Sequence, residues 1–275
     1  MNYIVLDMEW NQPYSKYKKH IGSMALRGEI IQIGAVKLNR RNKICARFDM
    51  TVKPRFYKKL NHHVEKITGI TQTELDESPD FEKVFKKFMK FCGKNCALVT
   101  WGTDDIPMLR DNLCAYGIDP AVLPKNYNLQ VIFNQQITHQ NKQWSLDAAI
   151  EHLGIEENEH PHNALYDAIS TAHIVGAIDF KNGVAEYDAM GTDNGVKNIE
   201  FKGFRTVREA MADKRVLFTA CPVCKEVLKN SGWTGSRLKK QTTAKCKTHG
   251  IYLYRAAVAK NNDTFSVHKK ITYMP

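Results

Sequence analysis

The 275 residues suffice for one domain of ordinary size and a smaller one. Hydrophobic residues make up 43%, enough for a core, yet no apolar run reaches the about 18 residues needed to span a bilayer. The net charge of +11 is uneven: residues 1–180 carry 22 basic and 21 acidic side chains, residues 181–275 carry 18 and 8. Such a basic block attracts polyanions, most often nucleic acid, and its plainer alternative is a solvated surface. Met1–Leu6 lacks the basic leader and cleavage site of a signal peptide, so a cytoplasmic protein is expected. Seven cysteines in that setting are expected to be thiols or metal ligands rather than disulfides.

Residues 3–8 read as a β-rich strand and 11–28 as a loop. Residues 29–38 form a second strand, Asn39 to Lys43 a turn, and 44–53 a third strand ended by Pro54, so the chain opens as an antiparallel meander. Thr71 and Glu74 match a capping box, and Phe81, Val84, Phe85, Phe88 and Phe91 recur at helical spacing. A short strand at 97–100, a helix from Asp105 to Tyr116, a strand at 127–134, a helix capped by Ser145 and a helix over 163–178 follow. This order predicts a mixed α/β domain over 1–180. Residues 181–215 read as a linker with a helical stretch near 206–213, and 216–275 as a small antiparallel β domain.

Three pieces of the first domain carry chemistry. Asp7 and Glu9 end the first strand two residues apart, and i and i+2 side chains share a face. Two such carboxylates repel unless a cation lies beside them, and Mg²⁺ takes oxygen ligands. Alone, the pair is an ordinary solvated strand end. Thr103, Asp104 and Asp105 open a helix, where the dipole favours acids in any case. His162 precedes the last helix of the domain and Asp167 lies about a turn into it; a lone histidine there is usually a cap or a surface residue.

Together, in this order and spacing, the pieces resemble the DEDDh exonuclease superfamily, which includes ribonuclease T, oligoribonuclease and a bacterial replicase's proofreading subunit. Asp7 and Glu9 fit its first motif, Asp105 with Leu109 after it the second, and His162 with Asp167 the third. Glu29 to Val36 and Ile67 to Thr71 also look like the enhanced-RNA-interference branch, which includes the bacterial inhibitor of the sporulation-kinase pathway. The resemblance covers residues 1–180. It implies a ribonuclease-H-like α/β fold with a mixed five-stranded sheet and flanking helices. It also implies two Mg²⁺ or Mn²⁺ ions held by Asp7, Glu9, Asp105 and Asp167, with His162 as general base. The expected reaction is 3′-to-5′ release of 5′-mononucleotides from single-stranded or frayed ends, RNA preferred, with DNA as the alternative. A non-catalytic binding module on the same fold is the rival of another class. Family members hold the terminal nucleotide against an apolar wedge, for which Met8, Trp10 and Ile106 are the nearest candidates.

Cys221 and Cys224, then Cys246 and His249, form two ligand pairs with two-residue gaps, the spacing of a zinc ribbon with one structural Zn²⁺. Residues 216–275 carry 11 basic and 2 acidic residues interleaved with Trp233, Tyr252, Tyr254 and Phe265. Those aromatics would either stack on bases of a single strand or pack the ribbon's own core.

Overall fold

The computed structural model describes residues 1–14, 18–22, 24–139, 143–156, 163–190, 196–261 and 263–274. The chain divides into two compact units, one formed by residues 1–129 and 144–177, the other by 130–143 and 178–275.

The first unit is built on strands β1 (Asn2–Asn11), β2 (Glu29–Leu38), β3 (Ile44–Thr51), β4 (Cys96–Thr100) and β5 (Asn126–Asn128), in the order β3-β2-β1-β4-β5. The first three pair antiparallel, as the meander predicted, and β4 and β5 join parallel. Helices α1 (His62–Thr68), α2 (Gln72–Glu77) and α3 (Phe81–Cys92) follow β3. The Thr71 hydroxyl accepts the Glu74 N–H, as a capping box requires. Phe81, Val84, Phe85 and Phe88 of α3 are buried against Ile4, Leu6 and Met8 of β1, so this helix covers one face of the sheet. Burying a side chain of this size stabilises by roughly 1.5–3 kcal/mol. Helix α4 (Asp105–Ala115) joins the same cluster through Ile106, Met108, Leu109 and Leu113.

Two buried polar side chains fix this layer. Glu29 accepts the N–H groups of Arg55, Phe56 and Tyr57 and the Tyr116 hydroxyl, at 2.5–3.0 Å, tying the loop after β3 to the start of β2. A buried carboxylate is tolerable because so many donors replace water. Asn112 of α4 accepts from Ile30 N–H and donates to the Gly28 carbonyl, which holds α4 on β2.

Only 126–128 of the expected strand 127–134 is extended; α5 (Leu129–Phe133) and a π-helical turn (Asn134–Thr138) follow. Leu129, Ile132 and Phe133 are fully buried at helical spacing, and a short apolar run carries too few residues to separate the two periods. Helix α6 (Leu146–His152) is capped by Ser145, and α7 (Ala164–Ala177) packs on β1, β2 and β3.

The second unit contains α8 (Phe180–Met190), β6 (Val196–Phe204), α9 (Val207–Ala212), α10 (Lys214–Leu217), β7 (Thr234–Gly235), β8 (Lys239–Cys246), β9 (Gly250–Asn261) and β10 (Thr264–Met274). Its sheet is antiparallel, in the order β6-β10-β9-β8-β7. The stretch 181–215, expected as a linker, therefore supplies an edge strand to that sheet. Ile199 and Phe201 alternate with polar residues as a strand should, but the partner, β10, lies about 70 residues later in the chain. Helix α8 buries Phe180, Val184 and Tyr187, and its Gly183 leaves no room for a methyl group, which would fall 2.3 Å from Ile132. Among the described residues no helix is long and apolar enough to cross a membrane.

Candidate functional site

The carboxylates come together on the sheet face opposite α3. Asp7 pairs with Gly34 across β1 and β2, and Glu9 with Gln32. The ladder slips by one residue just after Glu9, a bulge of the kind that re-aims side chains beside active sites. Gly34 is decisive for what lies above them. A methyl group there would stand 2.1 Å from the backbone of Ala164 and Leu165, so only glycine lets α7 lie directly on the strand. Gln32 completes the seat: its side-chain oxygen accepts the Ala164 N–H at 3.2 Å while its amide donates to Asp49 at 2.8 Å. Asn163 accepts the Leu165 N–H at 3.0 Å and so begins the helix. Asp167, in the first turn, thereby reaches Asp7 and Glu9, and carboxylate oxygens of the three lie within 4.8 Å of one another.

Asp105 approaches from β4. After Thr100 the chain turns through Gly102, whose φ of 89° suits glycine, and Asp105 becomes the first residue of α4. It is 5% exposed, whereas its neighbour Asp104 is open to solvent. One Asp105 oxygen, Oδ1, is buried with no hydrogen-bond partner. Burial and then the charges of Asp105, Asp167 and Glu9 hold the Asp7 carboxyl well above the usual carboxylate range. Burial, followed by Asp167 and Asp105, pushes Glu9 up to about 8. Burial, followed by Asp104, pushes Asp105 up to about 7. Three half-buried acids and the buried Asp105, repelling one another and with one orphaned oxygen, are a donor set suited to hard divalent cations such as Mg²⁺ or Mn²⁺.

His162 and His160 lie outside the described residues. Of the three wedge candidates, Met8 and Ile106 are 3% and 2% exposed and belong to the core against α3 and α4. A residue between two that face the site points the other way on a strand, which is why Met8 packs inward. Trp10 is half-buried, packed beside Gly28. The two residues that shape the site most, Gly34 and Gln32, carried one legible signal: a glycine inside an otherwise apolar strand marks a close approach.

The cysteine cluster of the second unit is also assembled. Cys221, Cys224, Cys246 and His249 present ligand atoms within 4.8 Å of one another. The Cys224 and Cys246 sulfurs are 3.7 Å apart, and His249 Nδ1 lies 3.6 Å from Cys221 and 3.5 Å from Cys246. A tetrahedral zinc site with bonds of about 2.3 Å to sulfur and about 2.0 Å to nitrogen has edges of roughly 3.8 and 3.6 Å. Burial pushes the Cys221 thiol up to about 12, while the backbone N–H groups of Cys224 and Val223 turn toward its sulfur. Lys225 adopts a φ of 64° as the chain folds back so that its N–H bonds the Cys221 carbonyl. The donor set could hold zinc. Tyr252 and Tyr254 are 1% and 0% exposed, and Trp233 and Phe265 pack on the unit's core, so these four aromatics build the domain itself.

The sequence profile of the exonuclease family matches residues 5–175, the stretch that holds all four carboxylates. The chain belongs to the DEDD-type 3′-to-5′ exonuclease family. The DNA polymerase III PolC-type protein of Clostridium perfringens is 29% identical over 187 residues, 68% of this chain and 12% of that much longer relative. The DNA polymerase III subunit epsilon of Aquifex aeolicus is 27% identical over 168 residues, 60% of this chain and 80% of its own. Among solved structures, the nuclease domain of 3′hExo, a DEDDh family member bound to rAMP, superposes with a TM-score of 0.57 at 22% identity. That superposition covers 66% of this chain and 92% of the nuclease domain, and it agrees with the ribonuclease-H-like fold.

Proposed function

We propose that this exonuclease uses two divalent ions to release 5′-mononucleotides from single-stranded or frayed 3′ ends, with RNA preferred. The observation that carries the reading is the buried, partnerless Asp105 oxygen beside Asp7 and Glu9, whose carboxyls burial and the neighbouring acids, Asp167 among them, hold above their ordinary range. Asp7, Glu9, Asp105 and Asp167 would hold Mg²⁺ or Mn²⁺. When bound, two such ions supply charge stabilisation to the oxygens of an in-line displacement at phosphorus. His162 takes the proton from the attacking water; an imidazole with an unperturbed pKa of about 6.5 works near neutral pH. The Gly34 contact and the Gln32 bond to Ala164 keep Asp167 in register with Asp7. In the second unit Cys221, Cys224, Cys246 and His249 bind one structural Zn²⁺ that fixes a basic, substrate-gripping ribbon.

RNA preference rests on the likeness of Glu29 to Val36 and Ile67 to Thr71 to the RNA-directed branch. The DNA reading is favoured by the replicase names of the two relatives. End-labelled RNA and DNA oligonucleotides of one sequence, competed in Mg²⁺, separate them. Laddering from the 3′ end with 5′-monophosphate products supports the reading, and cuts in a circular substrate overturn it. A higher kcat/KM on DNA would make DNA the substrate while leaving the exonuclease assignment intact.

A further inference from the structure

The second unit holds a cavity of about 520 Å³ bounded by β6, β9, β10, α10 and the loop carrying Cys221. Its size falls within the roughly 300–1,000 Å³ range of small-molecule sites. Lys197, Lys214, Arg215, Lys225 and Lys269 line it, and its lining includes no carboxylate. Arg215 is already spent on Asp213, 2.7 Å away. Lys269 is 3% exposed and donates to the main-chain carbonyls of Arg215 and Phe218. That bond pattern anchors the end of α10 and sets Phe218 in place. Lys225 donates to the main-chain carbonyls of Ala189 and Pro222. Lys197 and Lys214 remain for an anion. Burial, followed by the charge of Lys225, lowers the pKa of Lys197, so an anion beside Lys197 would favour its charged form.

Phe218 is the second half of the argument. It is 51% exposed on the cavity wall, while Tyr252 and Tyr254 on the sheet are buried. Ile199, Phe201 and Ile271 continue the apolar lining. An exposed ring beside unpaired lysines, over an apolar hollow, matches a ligand with a planar face and a phosphate.

We propose that this cavity is a subsite for one nucleotide of a single-stranded nucleic acid, its base on Phe218 and its backbone phosphate near Lys197 and Lys214. This rests on the reading that the chain acts on nucleic acid. It moves the stacking role away from Trp233, Tyr252, Tyr254 and Phe265. It also ties the subsite to the metal cluster, because Cys221 and Pro222 form part of the wall.

The test uses the full chain carrying Asp7→Asn, so that the probe is not consumed, and fluorescein-labelled oligo(U) and oligo(dT) read by anisotropy. Phe218→Ala should weaken binding about tenfold, the scale of one lost stacking platform. Phe218→Trp should restore affinity, and its indole fluorescence should be quenched when the oligonucleotide binds. Lys197→Ala with Lys214→Ala should make log Kd less steep in log salt by about two. Zinc content and melting temperature of each variant establish that it is folded. The proposal is overturned if folded Phe218→Ala binds like its parent. It is equally overturned if inorganic polyphosphate displaces the oligonucleotide equally well from both, which would leave charge alone. A failed exonuclease reading looks different: the chain with Asp7 intact would leave the labelled oligonucleotides whole in Mg²⁺.

Discussion

The two clusters of metal-ligand side chains are built in opposite ways. Asp7 and Glu9 of β1 and Asp167 in the first turn of α7, up to 160 residues apart, come within 4.8 Å, and Asp105 at the start of α4 stands close enough to raise Asp7, so the whole first unit must fold before they meet. The cysteine–histidine cluster comes from a turn at 221–225 and the tight β8–β9 hairpin, with backbone N–H groups already aimed at the first sulfur. The first stores repulsion that a cation would relieve at work. The second is a closed set of four donors that a cation would simply hold shut. A site that must do chemistry tolerates conflict among its groups, while a site that holds a small domain together minimises it.

The largest effects should come from breaking the carboxylate cluster. Asp7→Asn is expected to lower kcat by about a thousandfold or more, because charge stabilisation by metal ions is worth several kcal/mol. His162→Ala should cost about 10²–10⁴-fold while leaving Mn²⁺ affinity in place, since a positioned base contributes no ligand. Isothermal titration with Mn²⁺ beside single-turnover kinetics separates the two losses. Wild-type cleavage by the His162 variant at neutral pH would remove that residue from the mechanism.

Gly34→Ala tests whether the carboxylates depend on the remote seat of α7. The added methyl must push the helix off β2, which should destabilise the unit by about 1–3 kcal/mol. Displacing Asp167 by about an ångström should lower kcat about a hundredfold. Urea melts and kcat report the two effects; a variant with full activity would show that α7 has slack over the strand.

How much of this was legible in the sequence divides along the same line. Strand 29–38, the phenylalanine face of α3, the Thr71 cap and the four carboxylates could be read because each rests on local spacing. So could the cluster of Cys221, Cys224, Cys246 and His249. What escaped depended on partners distant in sequence. Strand β6 needed β10 to be recognisable. Gly34 looks like a weak strand residue until α7 lies on it. Met8 and Ile106 flank the motifs but face the core. Tyr252 and Tyr254 share one face of β9, and only the packing of the second unit shows that this face is the inner one. Phe218, an exposed aromatic of the second unit, sits in a short apolar run that gave no reason to single it out.

Cys221→Ser sharpens the comparison from the other side. It should abolish the zinc content and lower the melting temperature of the second unit. On long single strands it should raise KM several-fold, as lost phosphate contacts would. Atomic absorption and steady-state kinetics in two salt concentrations check this; full zinc content in the variant would dissolve the four-donor assignment. A truncation at residue 215 is a poorer test, because it would leave β6 without its partner β10.

The metal-free carboxylates also impose a pH dependence on stability. Glu9 and Asp105 are raised to about 8 and about 7, above the values of about 4 expected in the unfolded chain. The folded state therefore binds more protons, and stability falls as pH rises. In metal-free protein the cluster costs nothing below about pH 4, and the loss should accumulate until about pH 8. Melting temperatures across that window should decline, Mg²⁺ should restore them at pH 8, and Asp7→Asn should flatten the curve. A zinc-retaining protocol is essential, since chelation would also empty the second cluster.

Anomalous diffraction from crystals grown in Mn²⁺, recorded on either side of the manganese and zinc absorption edges, tests the central claim most directly. Two manganese peaks among Asp7, Glu9, Asp105 and Asp167 and one zinc peak among Cys221, Cys224, Cys246 and His249 are predicted. An active crystal batch with no manganese at those carboxylates would contradict the account.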